Sequence, residues 1–183
     1  MAPDHGGEGG AARIRLRGSE IRKSIYGYGG NDTICGGAGN DYNLYGDEGN
    51  DNMIGDDGND YVEGGPGADV LNGKNGYDNI NGGSGNDTVR GGPQGDYVYG
   101  GPGWDNIYGD LGDDSLDDSE WSGSGFFYDY FYGGAGDDTI NSYSYEDGTY
   151  APDYVDGMDQ DYRDSCTADT EDDVVNCENV SRY

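Results

Sequence analysis

The chain has 183 residues, 38 of them glycine, only 32% hydrophobic residues and a formal net charge of −29. The length suits one domain, but the composition lies near that of chains with too little apolar surface to offset their ordering entropy. The carboxylate excess works against nucleic acid and anionic membranes as partners by like-charge repulsion, and it favours a hard, oxygen-seeking cation.

The start, MAPDHGGEGG, lacks the basic and apolar regions of a signal peptide, and reads as a mature start behind an added Met or as an intracellular start. No run of about 18 apolar residues occurs, so no membrane-spanning helix is expected. Five of the nine Lys/Arg residues follow at Arg13, Arg15, Arg17, Arg22 and Lys23. In GSEIRKSIY (18–26) Ile25 holds an apolar position, and Lys23 stands where later copies of the pattern carry Asp. Residues 1–26 therefore read as a tail and a capping coil whose fixed positive charge stands in for a cation. A nucleic-acid-binding arm is the weaker alternative beside so acidic a chain.

From there a repeat takes over. Asp recurs at 32, 41, 51, 60, 69, 78, 87, 96, 105 and 114, a nine-residue period with one extra residue near 43. Two residues after almost every Asp stands an apolar side chain: Ile34, Met53, Val62, Leu71, Ile80, Val89, Val98, Ile107 and Leu116. Leu44 supplies that group for Asp41 through a one-residue bulge. Before the Asp the pattern is G-G-x-G-x, as in GGAGND (36–41), GGPGAD (64–69), GGSGND (82–87), GGPGWD (100–105) and, after an interruption, GGAGDD (133–138). Three residues after the turn make a short strand with one inward side chain, because side chains alternate at period 2. Two repeats make one eighteen-residue coil, two parallel sheets meet at the aliphatics, and coils stack at about 4.8 Å. Loops of alternate repeats then face each other, and their Asp residues converge. One aliphatic per repeat is little return for ordering nine residues, and facing carboxylates repel, so the fold needs a cation.

These residues resemble the glycine- and aspartate-rich nonapeptide repeats of the RTX family, over residues 27–117 and 133–141. The resemblance implies an all-β, right-handed parallel β-roll (a β-solenoid) holding several Ca2+ ions between stacked turns. Side-chain ligands would be Asp32, Asp51, Asp69, Asp87, Asp105 and Asp138 in one row, and Asp41, Asp60, Asp78, Asp96 and Asp114 in the other. It further implies backbone carbonyl ligands from Gly36, Ala38, Gly64, Pro66, Gly67, Gly73, Asn75, Gly82, Gly83, Ser84, Gly85, Gly100, Pro102, Gly133 and Ala135. Oxygen-only donors suit Ca2+ better than Mg2+, and one His with few Cys excludes a zinc or copper cage. Asp47, Asp56 and Asp110 replace the second glycine and add charge, while Lys74 at that position weakens its site. Gln94 in GGPQGD puts that loop's geometry in doubt.

The β-roll is expected over 27–141, with an aromatic insertion at 118–132, DSEWSGSGFFYDYFY, read as a satellite core or as a binding loop. Residues 142–183 read as degenerate coils and a cap, in which calcium ligation by Asp153 or Asp164 is doubtful. Cys166 and Cys177 are spaced to close a short disulfide loop, with two free thiols as the alternative; Cys35 has no assigned state. One sheet displays Tyr42, Tyr45, Tyr61, Tyr97 and Tyr99, suited to a glycan or protein ligand or simply to sheet stability. The other displays Thr33, Asn52, Thr88, Asn106 and Thr139, a rank similar to ice-binding solenoids but broken by Val70 and by irregular neighbours.

No catalytic set emerges: His5 is alone, and carboxylate pairs carry no weight where Asp is so abundant. The expected function is a secreted, monomeric calcium-binding module that folds on binding Ca2+. Adhesion through the Tyr-rich sheet and the 118–132 loop, or ice binding, are the alternatives.

Overall fold

The computed structural model describes residues 24–117, 128–142, 153–157, 164–168 and 173–182, and the backbone of two strands at 4–5 and 13–15. The strands, in chain order, begin with β1 (Asp4–His5), β2 (Arg13–Arg15), β3 (Ser24–Tyr26), β4 (Thr33–Ala38), β5 (Asn43–Tyr45) and β6 (Asn52–Asp57). The central coils contribute β7 (Tyr61–Pro66), β8 (Val70–Asn75), β9 (Asn79–Ser84), β10 (Thr88–Pro93), β11 (Tyr97–Tyr99), β12 (Asn106–Leu111) and β13 (Ser115–Asp117). Last come β14 (Tyr130–Ala135), β15 (Thr139–Asn141), β16 (Tyr154–Asp156), β17 (Ser165–Ala168), β18 (Asp173–Val175) and β19 (Asn179–Arg182). Odd-numbered strands form one ten-stranded sheet and even-numbered strands a nine-stranded one, each in monotonic order. Every pairing is parallel. The result is an all-β solenoid of two parallel sheets.

Register follows the repeat. Val89 stands between Leu71 and Ile107, and Val98 between Ile80 and Leu116. The inward residues from Ile25 to Cys166 form a single file of fully buried side chains between the sheets. Leu44 joins that file opposite Ile25 and Val62, so the extra residue near 43 is absorbed before the strand begins.

The interruption after Asp117 is shorter than the sequence pattern suggests. β14 pairs with β12 so that Phe131 lies beside Ile107, and the periodic coil resumes at Asp129, not at Gly133. Residues 118–127, which carry the rest of the aromatic insertion, lie outside the described residues. Resumption at Asp129 shifts everything downstream by one sheet. Thr139 pairs with Ser115, and Asn141 with Asp117, in the odd-numbered sheet. Tyr130 instead follows Asn106, which ends the Thr/Asn rank in an aromatic residue.

The Tyr-rich sheet is also less continuous than expected. Tyr26 stacks on Tyr45 with centroids 5.2 Å apart, and Tyr45 reaches Tyr61 at 6.0 Å. β9 then presents Asn79 and Asn81 before Tyr97 and Tyr99, and Tyr42 lies outside the strand. The other sheet carries a tighter group: Tyr108 stacks on Tyr132 at 4.8 Å, and Tyr154 approaches Tyr132 at 5.9 Å and Tyr130 at 6.1 Å. Arg90 caps this group, 4.1 Å from the Tyr108 ring and 2.7 Å from Asp110 Oδ1. Near the C-terminus Cys166 and Cys177 form a disulfide, and Cys166 occupies the inward position beside Ile140.

Candidate metal centre

Each repeat ends its glycine-rich turn with Asp immediately before the strand, so the carboxylate is carried at a sheet margin and turned into the stack. All the periodic aspartates are buried. From the second member of each row onward, one oxygen is accounted for. The N–H of Asp32 donates to Asp51 Oδ1 at 2.7 Å, that of Asp51 to Asp69 at 2.7 Å, that of Asp69 to Asp87 at 2.8 Å, and that of Asp87 to Asp105 at 2.7 Å. The row continues from Asp105 to Asp129 at 2.6 Å and from Asp129 to Asp153 at 3.0 Å. On the opposite margin Asp41, Asp60, Asp78, Asp96 and Asp114 are joined in the same way at 2.7–2.8 Å. Asp114 then binds Asp138 at 2.9 Å, and Asp138 binds Asp164 at 3.0 Å.

One correction and one extension follow. Asp138 belongs with Asp41 and Asp114, not with Asp32 and Asp105, because Asp129 supplies a repeat that the glycine pattern does not announce. Asp153 and Asp164 extend the two rows, although their turns carry no G-G-x-G. The signal that finds all three is Asp followed two residues later by an inward side chain: Phe131, Val155 and Cys166.

The second oxygen behaves differently. Oδ2 of Asp51, Asp69, Asp78, Asp87, Asp96, Asp114 and Asp138 is buried without a hydrogen-bond partner. A buried, unsatisfied carboxylate oxygen is costly. Its surroundings explain its position. A Cβ placed on Gly55 would meet Asp60 Oδ2 at 2.5 Å and the Gly73 carbonyl oxygen at 2.7 Å. Gly46, Gly64, Gly82 and Gly109 repeat the arrangement with Asp51, Asp69, Asp87 and Asp114 and the carbonyls of Gly64, Gly82, Gly100 and Gly133. The first glycine of each turn therefore leaves a cradle where a carboxylate oxygen of its own loop and a carbonyl of the next coil converge.

Burial lifts these carboxyls well above the usual range. Burial, with the neighbouring Asp87 and Asp51 charges, pushes Asp69 up to about 7, against a lowering by its bond from the Asp51 amide. Asp96 is pushed to about 8 and Asp138 to about 7 by burial first and nearby carboxylates second. Asp78 and Asp87 reach about 6, again chiefly by burial. A divalent cation beside them reverses that preference by favouring the charged form.

The donor set fits Ca2+. Among the described residues no three His, Cys, Asp or Glu side chains gather on one point, so backbone oxygens would complete a shell around the Asp carboxylates. Ca2+ takes 6–8 oxygen ligands in flexible geometry, whereas nitrogen and sulfur, which zinc prefers, are absent from these cradles. Of the expected carbonyl donors, those of Pro66, Asn75, Ser84, Pro102 and Ala135 each accept one glycine N–H from the preceding coil, at 2.7–3.0 Å. Each keeps a second lone pair.

The irregular loops keep the same path. Asp47, Asp56, Lys74 and Asp110 take the second-glycine position with φ between 66° and 87°. Gln94 solves a local problem: the Gly76 N–H donates to Gln94 Oε1 at 2.8 Å, where a carbonyl serves elsewhere. Asn31, Asn50 and Asn86 add a ladder that the repeat pattern alone did not suggest. Their Oδ1 atoms accept N–H groups of Asn50, Ala68 and Trp104 at 2.9–3.2 Å.

A family model for the RTX calcium-binding nonapeptide repeat matches residues 24–42, 45–80, 81–116 and 125–144, more than half of the chain. The chain belongs to the RTX calcium-binding repeat family. Its last match, 125–144, contains Asp129, in line with the register of β14. No curated protein matches this RTX chain.

Proposed function

We propose that this RTX chain is a β-roll module that becomes ordered by binding several Ca2+ ions along its two margins, and that it works outside the cell as a structural or binding element. The buried, unsatisfied Oδ2 atoms carry this reading, since a row of such atoms beside carbonyl oxygens is a liability without a cation and a ligand set with one. Asp32, Asp51, Asp69, Asp87 and Asp105 serve one row, and Asp41, Asp60, Asp78, Asp96, Asp114 and Asp138 the other. The disulfide supports an extracellular setting, where such bonds persist. Binding free energy then becomes folding free energy. Far-UV circular dichroism during a calcium titration tests this: β signal should rise with Ca2+ and collapse with chelator. A β signal indifferent to chelator would overturn it.

A second reading has one observation in its favour. Trp104 and Tyr128 meet edge-to-face at 5.8 Å while remaining 53% and 42% exposed, and Tyr130, close by in sequence, is 46% exposed. Such a patch suits an uncharged glycan better than an anionic one, given the chain's charge. Glycan-array binding that is lost in Trp104→Ala and Tyr128→Ala would establish it, and binding unchanged in both variants would remove it.

A further inference from the structure

Asn75 ends β8 and Gly76 opens the turn that follows, and the peptide between them is held from both sides. The Asn75 carbonyl accepts the Gly58 N–H at 2.7 Å, and the Gly76 N–H donates to Gln94 Oε1 at 2.8 Å. The Asn75 side chain is fixed too, its Nδ2 donating to Asp57 Oδ1 at 2.8 Å. Asn75 is exposed, so water reaches it. Asparagine before glycine is chemically fragile, because no side chain shields the glycine nitrogen from the asparagine Cγ.

The restraint on this nitrogen differs in kind from its counterparts. Gly49, Gly58, Gly67, Gly85 and Gly112 each donate to a backbone carbonyl of the next coil. Gly76 depends on a side chain, which a single substitution removes.

We propose that Asn75 is a site of spontaneous deamidation, restrained in the folded chain by the Gln94 clamp on the Gly76 nitrogen. In the reaction the Gly76 nitrogen loses its proton to water and bonds to Asn75 Cγ. The Cγ–Nδ2 bond breaks, the amide nitrogen leaves as ammonia, and a succinimide ring forms. One water then opens the ring to aspartate or isoaspartate, without any oxidant or reductant. The product places a carboxylate beside Asp57, and the isoaspartate form lengthens the backbone where there is no slack. A Cβ on Gly76 would already collide with the Gly58 carbonyl. The inference rests on the fold, not on the calcium reading.

Peptide mapping by mass spectrometry tests it, on the full chain held at neutral pH with Ca2+ and, in parallel, in urea. Asn75 should convert at least about tenfold more slowly in the folded chain, since displacement from attack geometry costs up to about a hundredfold. Gln94→Ala, with its β signal intact, should accelerate conversion at Asn75 but not at Asn72 or Asn81, which also precede glycine. Gln94→Glu keeps an acceptor and should match the parent chain. Equal rates in folded chain and urea overturn the proposal, as does a folded Gln94→Ala with the parent rate. If Gln94→Ala loses its β signal, the parent ratio and Gln94→Glu decide. Should chelator leave the β signal unchanged, the calcium reading fails while this comparison stands.

Discussion

The N–H of Asp69 donates to Oδ1 of Asp87, eighteen residues later, at 2.8 Å. One carboxylate thus ties two coils with one oxygen and turns the other towards the cradle at Gly82 proposed to hold calcium. Substitution separates the two roles. Asp87→Asn keeps an oxygen for the Asp69 amide but loses the charge, so it should raise the calcium midpoint while leaving the calcium-saturated β signal intact. Asp87→Ala also strands a buried N–H, which costs about 1–3 kcal/mol, so it should lower stability even in saturating Ca2+. Calcium titration and urea melts of both variants check this.

Acid should substitute for calcium. Asp69, Asp78, Asp87, Asp96, Asp114 and Asp138 are lifted to about 6–8, chiefly by burial. A raised carboxyl contributes stability that is fully present below its unfolded value of 3.8 and lost as pH rises through its folded value. In chelator the chain should therefore gain β signal as pH falls from 8 towards 4, and lose it again on return. Circular dichroism against pH, with and without Ca2+, measures this window.

The cradle predicts a contrast between two glycines. A Cβ on Gly64 would press on Asp69 Oδ2 and the Gly82 carbonyl, whereas one on Gly29 would meet only Glu48 atoms at 3.8 and 4.0 Å. Gly64→Ala should remove a calcium equivalent in calorimetry. Gly29→Ala should leave stoichiometry unchanged.

Lys74 adopts φ 76°, a left-handed conformation that costs a side chain about 1–2 kcal/mol. Lys74→Gly should therefore stabilise the calcium-loaded chain by about 1 kcal/mol in urea denaturation.

Where the loops are irregular, the aromatic group on the even-numbered sheet should matter more. Tyr132→Ala removes the stack on Tyr108 and the contact with Tyr154. It should cost about 0.5–1.5 kcal/mol beyond lost burial, and a double-mutant cycle with Tyr108 should show the coupling.

Much of this was legible in the amino-acid order. Asp at a nine-residue spacing, with an apolar residue two positions later, is enough to place Val89 in the core and Asp87 at a margin, because period 2 and the turn length leave no other phase. Legibility stopped at Tyr128. The loop before Asp129 has no G-G-x-G signature, so counting from glycines skips a coil and sends Asp138 to the wrong margin and Thr139 to the wrong sheet. The phase resides in the Asp and the inward residue, while the glycines report only how closely adjacent turns approach. The role of Gln94 was hidden for a different reason: its partner, Gly76, lies in another coil, and no local pattern encodes that contact.

The Asp ladder has a direction. From Asp51 and Asp60 onward each periodic carboxylate reaches back to an amide of the coil before it, whereas the Asn31, Asn50 and Asn86 side chains reach forward to the coil after. Each turn is thus fastened by the turn that comes after it. A chain emerging from its N-terminus would find its earliest coils waiting for a clasp still to be synthesised, and closure would advance like a zip drawn towards the C-terminus. Removing late coils would undo the Asp fastening of those next to them, whereas removing early ones would leave the later Asp clasps in place.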